Sequence, residues 1–135
     1  MTDEMYLDRI GEFSTYIAPS GLSAITLEES HFFEEFCSFY NVDLPEVEPV
    51  ETEEPWPVSL ANFVFGMDTE QQEELRQLVE EFAGEVLHTY GVENENQLLD
   101  EISGSSGLGP FFWMEDVLFI EGEKRTLCLM IGNDE

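Results

Sequence analysis

A chain of 135 residues that is 42% apolar and contains eleven Phe is long enough to bury one hydrophobic core without disulfide or metal staples. Its 31 acidic residues stand against 4 basic ones, a formal charge of −27 at pH 7, and a field of that sign excludes direct binding to nucleic acid or anionic lipid. Cys37 and Cys128 lie far apart in apolar runs, the placing of buried free thiols rather than of a redox pair or a metal site.

In chain order, Tyr6, Ile10, Phe13 and Ile17 recur at helical spacing until Pro19 and Gly21, which predicts a first helix. The β-branched Thr15 and Ile17 leave "EFSTYIA" readable as an opening strand instead. Thr26 and Glu29 are spaced as a capping box before a helix from Leu27 to Tyr40. On that helix Phe32, Phe33, Phe36, Cys37, Phe39 and Tyr40 share one side, and Glu28, Glu34 and Glu35 the other. Residues 43–57 lose all periodicity. Their prolines and acids, with no base among them, predict an extended acidic loop within a single domain spanning 1–135.

"VSLANFVFG" reads as either a strand or a buried turn of helix. Asp68 and Gln71 then form a second capping-box pair, opening the longest predicted helix. Leu75, Leu78, Val79, Phe82, Val86 and Tyr90 make its apolar stripe, and Gly91 is the expected terminating glycine. Glu70, Glu73, Glu74, Glu80, Glu81 and Glu85 fall opposite that stripe, with only Arg76 interrupting the sign of the charge. "NENQLLDEISG" predicts a short helix closed by Gly104. The following "GSSGLGP" is a connection lacking the GK[ST] of a phosphate loop. "FFWMEDVLFI" and "KRTLCLMI" predict two strands joined at Gly122. The expected fold is α+β: two or three amphipathic helices on a small antiparallel sheet that includes the C-terminal β-hairpin.

Signatures of chemistry are sparse. His31 and His88 are the only histidines, His88 being expected near the negative end of the long helix, and neither belongs to an HExxH pattern. There is no CxxC, no GxSxG and no D-x-[DN]-x-[DN]-G calcium loop, so neither a cofactor nor a metal site is expected. A carboxylate enzyme remains the alternative of another class, because acid pairs form in space rather than in sequence. It predicts turnover and one or two essential acids. The acidic opening "MTDEMYLDR" and the lack of a long apolar run predict a cytoplasmic protein.

Ordinary solvated helix faces mix signs, because Glu to Lys pairs one turn apart stabilise a helix and like pairs destabilise it. A chain that forgoes such pairs almost everywhere points to a demand for negative potential. High-salt adaptation is the rival explanation, but 24 Glu against 7 Asp, and eleven Phe against 4 Ala, point away from it.

In composition the chain resembles the small acidic proteins of phages and plasmids that mimic DNA to block restriction or CRISPR enzymes. It also resembles the acidic immunity proteins that neutralise nuclease toxins. What the resemblance implies is an inhibitor lodged in the Lys/Arg-lined cleft of a basic nucleic-acid-binding protein or nuclease. The expected partner-binding residues are Glu70, Glu73, Glu74, Glu80, Glu81 and Glu85, with Glu46, Glu48, Glu51, Glu53 and Glu54 of the acidic loop as a second row. Trp56 is the candidate aromatic anchor for an immunity protein or antitoxin, or else a ring packed between Pro55 and Pro57 over the core.

Overall fold

The computed structural model describes residues 2–17, 20–28, 31–43, 48–103 and 113–133. Helix α1 (Asp3–Glu12) is opened by Thr2, whose hydroxyl accepts from the Met5 N–H, and it runs into one 3-10 turn at Phe13–Tyr16. Its helical spacing therefore decided the matter over the strand alternative. Strand β1 (Ser20–Leu27) follows, then α2 (Phe32–Phe39), β2 (Pro49–Glu51), α3 (Trp56–Phe63) and α4 (Thr69–Ala83). The chain continues through β3 (Leu87–Val92), α5 (Glu95–Ser103), β4 (Trp113–Gly122) and β5 (Thr126–Asn133). Among the described residues no helix is long and apolar enough to cross a membrane.

The five strands form one antiparallel sheet in the order β1-β5-β4-β3-β2. The expected C-terminal hairpin lies at its centre, and the fold is a small single α+β domain. Because side chains alternate across a strand, the hairpin feeds two cores. Leu118, Ile120, Leu127 and Leu129 face α1, α3 and α4, while Val117, Phe119, Cys128 and Met130 face α2 and α5. A register shift between Met114 and Asp116 brings Met114 into the same core as Val117, an odd spacing that strict alternation would forbid.

Three expectations are corrected. The predicted helix from Leu27 to Tyr40 is shorter, because Thr26 is not an N-cap. It sits in β1 opposite Leu127, and its would-be partner Glu29 lies outside the described residues. The 43–57 segment is not one loop: Pro49–Glu51 pairs with β3, and Trp56 already begins α3, with Pro57 in the first turn, where a missing N–H costs nothing. Of the two readings of "VSLANFVFG", helix is the one found, from Val58 to Phe63. Third, the long helix ends at Ala83 rather than near Gly91. Gly84 adopts φ 123°, ψ 174°, a backbone region open essentially to glycine alone, so Glu85, Val86, His88, Tyr90 and Gly91 all lie beyond the helix. The Asp68–Gln71 capping box is present with both reciprocal hydrogen bonds, at 2.8 and 3.1 Å.

The C-terminal end of α4 is tied to the β4–β5 turn by backbone and side-chain bonds. The Lys124 N–H donates to the Ala83 carbonyl at 2.9 Å, and Arg125 Nη1 donates to the Phe82 carbonyl at 3.1 Å. The Glu123 carboxylate accepts from the N–H groups of both Glu85 and Val86. The β4–β5 turn thus caps the helix that packs on its own strands. At the sheet's other margin, Ser14 Oγ accepts from the Leu22 N–H and donates to the Leu22 carbonyl, satisfying edge-strand groups that have no neighbouring strand.

Candidate acidic interface

The acids are everywhere, but the bases are not. Arg76 lies in the middle of α4 and bonds Glu73 with two guanidinium nitrogens and Glu80 with a third, at 2.9 Å. Arg9 of α1 lines a shallow cavity with Glu74 and Glu81, and Lys124 lines another with Glu80, Glu81 and Glu85. Arg125 lies over the Phe82 ring at 4.7 Å and pairs with Asp3 at 2.7 Å. All four Lys and Arg side chains of the chain therefore gather on the α1–α4 side. Two of them bond the last carbonyls of α4, where a helix carries partial negative charge.

Consequently the row expected to be bare carries two ion pairs, both to Arg76, and lies on the same side as the other bases. Of Glu70, Glu73, Glu74, Glu80, Glu81 and Glu85, only Glu70 in the first turn shares neither an ion pair nor a cavity with a base. Arg76 holds the Glu73 carboxyl below its usual range through their hydrogen bonds. Glu85 belongs to the connection after the helix rather than to its face.

The second row is split. Glu46 lies outside the described residues. Glu48 and Glu53 are exposed, Glu51 on β2 pairs with His88 at 2.5 Å, and Glu54 accepts from Asn62 at 3.2 Å. Glu48 and Glu51 lie at the sheet edge near the start of α2, while Glu53 and Glu54 lead into α3. Helices α2 and α5 carry Glu34, Glu35, Asp100 and Glu101, and the turn before α5 carries Glu93, without one Lys or Arg. His31, pairing with Glu34 at 3.8 Å, and His88 are the basic side chains there. Trp56 is partly buried against the first core, as the packed reading has it. Among the described residues the exposed rings are instead Tyr16, Phe39 on α2, 59% accessible, Phe65 after α3, 85% accessible, and Trp113 at the start of β4. Sequence reasoning placed Phe39 in the core because it lies beside Tyr40 in an aromatic run. Phe65 lies two residues beyond the end of α3, outside the helical spacing that places the core.

Glu95 has the carboxyl raised by its surroundings. Glu95 opens α5 and reaches Asp116 at the bulge of β4. Burial first, then the hydrogen bond and the charge of Asp116, push its carboxyl up to about 7. A folded value above the unfolded one stabilises the fold at low pH, and that contribution is lost as pH rises from the ordinary carboxylate range through about 7. Glu95→Gln should flatten this loss, leaving the variant more stable than the parent by about 1 kcal/mol at pH 8 after allowance for solvent screening. Urea unfolding at pH 4 and pH 8 checks the sign. Equal pH slopes for parent and variant would remove Glu95 as the source.

The thiols are arranged differently from a reactive centre. Burial and then Glu101 push Cys37 up to about 11, away from the nucleophilic thiolate, and burial raises Cys128 as well. Among the described residues no group of three His, Cys, Asp or Glu side chains is placed to hold a metal ion. No family model, no curated protein and no solved structure matches the chain.

Proposed function

We propose that the chain is an acidic inhibitor that presents a polyanion-like surface to the Lys/Arg-lined cleft of a nucleic-acid-binding protein. The observation that carries this reading is the segregation of charge. With every Lys and Arg spent around α4, the opposite side formed by β2, α2 and α5 is left with carboxylates and two histidines. Such a surface attracts a basic protein over several ångströms of solvent and repels nucleic acid itself. Contact begins at Glu48, Glu51 and Glu53 and spreads over Glu34 and Glu101. The α4 row, apart from Glu70, forms a partly neutralised flank that adds to the long-range field.

An immunity protein that neutralises a nuclease is the second reading, and Phe39 favours it. A largely exposed ring among carboxylates has the character of an interface anchor rather than of a plain charge mimic. The two readings share the partner's chemistry and differ in how much affinity survives high salt.

The test uses the immobilised chain to capture basic proteins at low salt, followed by measurement of whether each captured protein still binds a DNA or RNA duplex. Triple reversal of Glu48, Glu51 and Glu53 to Lys should weaken capture about 100-fold, whereas reversal of Glu70, Glu73 and Glu74 should cost about tenfold or less. A captured protein that holds nucleic acid equally well with and without the chain would defeat the inhibitor reading.

A further inference from the structure

Between the first turn of α2 and the β2–β3 edge lies a cavity of about 310 Å³. Its walls are rings. Phe32 and Tyr90 stand 5.2 Å apart at 53°, and Phe33 and Pro49 complete the apolar lining. Its polar groups are the exposed carboxylates of Glu34 and Glu48 together with His31, which pairs with Glu34. The Tyr90 hydroxyl donates to Glu121 at 3.2 Å, and burial first, then Glu121 and Glu51, raise its pKa.

An aromatic wall beside two carboxylates suits a cation. An anion would be favoured by the start of a helix, but α2 carries Glu34 and Glu35 in its first turn, and these already answer that partial positive charge. A volume at the low end of ligand cavities admits one side chain rather than a nucleotide. Between the two basic side chains, a guanidinium stacks on rings and forks onto a carboxylate, whereas an ammonium does only the second as a point charge. No Lys or Arg of this chain lines the cavity.

We propose that this cavity is the socket for an arginine side chain of the basic partner, which rests on the reading of the chain as an acidic inhibitor. The arginine lies against the half-buried Tyr90 ring at the mouth of the cavity, beside Phe32, and its guanidinium meets Glu34 and Glu48. Diffuse charge brings the partner close, and the socket fixes its register.

The experiment titrates the isotope-labelled chain with Nα-acetyl-arginine amide and, separately, with the lysine analogue and with octa-arginine. Arginine amide should shift the ring resonances of Phe32, Phe33 and Tyr90 with a Kd on the order of 1 mM, as weak as one side chain alone allows. The E34Q/E48Q pair should weaken it about tenfold, while E4Q/D8N, the same charge change on α1, should stay within about twofold. All four positions are exposed, and both variants should keep the parent's far-ultraviolet spectrum. Shifts spread evenly over the acidic surface, equal losses for the two pairs, or lysine amide binding as tightly as arginine amide would each overturn the socket. Octa-arginine decides the underlying reading separately. Salt-sensitive binding of it without localisation leaves the acidic interface standing and removes the socket. Failure to bind it at all removes the acidic interface, whatever the amide does.

Discussion

Gly122→Ala should destabilise the domain by about 3 kcal/mol or more, a large share of what a fold of this size possesses. A Cβ at this position would stand 2.3 Å from the Ala83 carbonyl oxygen, 2.9 Å from the Ala83 carbonyl carbon and 2.6 Å from Leu87 Cδ2. The leucine methyl could move, but the carbonyl belongs to the last turn of α4 and already accepts from the Lys124 N–H. Relieving the clash therefore means lifting α4 from the hairpin and breaking the bond that caps it. Overpacking of side chains alone costs roughly 1–3 kcal/mol, and the backbone collision places this case at or above the top of that range. Urea denaturation with an unchanged slope is the measurement, and Gly91→Ala is the control. A Cβ at Gly91 meets nothing within 4 Å, so that change should stay within about 0.5 kcal/mol. Indistinguishable midpoints for the two variants would mean that α4 does not press on Gly122 in solution.

The second large loss is expected from Phe119→Ala. Phe119 is fully buried at the centre of the sheet, and its ring centroid lies 5.0 Å from Phe36, 5.5 Å from Phe32 and 5.9 Å from Phe33. Two of these pairs are edge-on, the arrangement the ring quadrupoles favour. Removing a buried Phe costs about 3–5 kcal/mol through lost transfer energy and the cavity left behind. Here one ring joins three residues of α2, a helix of only eight residues that has no side-chain hydrogen bond at its start. Its position depends on packing rather than on intrinsic helicity. The expected result is a lower thermal midpoint together with loss of near-ultraviolet aromatic signal. Phe119→Leu should recover more than half of the difference, since it refills most of the volume. A Phe119→Ala protein as stable as the parent would show that α2 is held by something else.

The parts of the fold that were legible in the sequence are those whose signals are local. The hairpin was readable because two β-rich runs flank a glycine turn, and the start of α4 because Asp68 and Gln71 carry a capping box within four residues. The end of α4 was not readable. Val86 and Tyr90 happen to continue its spacing of three and four, yet Leu87 and Thr89 are the residues that turn toward the core, in the alternation of a strand. Strand β1 was hidden by Thr26 and Glu29, which imitate a capping box, and its pairing partner lies some hundred residues further along the chain. Three-residue β2 has no periodicity to read and exists because β3 supplies its hydrogen bonds. For the interface, the excess of acid was plain and its distribution was not. Nothing in the order of residues shows that Arg125 returns to Asp3, or that Arg9 comes to lie beside Glu74 and Glu81. Neutralisation is a property of tertiary neighbours, so the row that looked most bare in sequence lies on the same side as the bases.

Grouping the four bases on one flank also makes the molecule an electric dipole, its negative pole on the α2–α5 side. In the field of an approaching cationic protein such a body feels a torque as well as a pull. It would turn while still at a distance and arrive with α2 leading, which narrows the range of collision angles wasted on unproductive encounters.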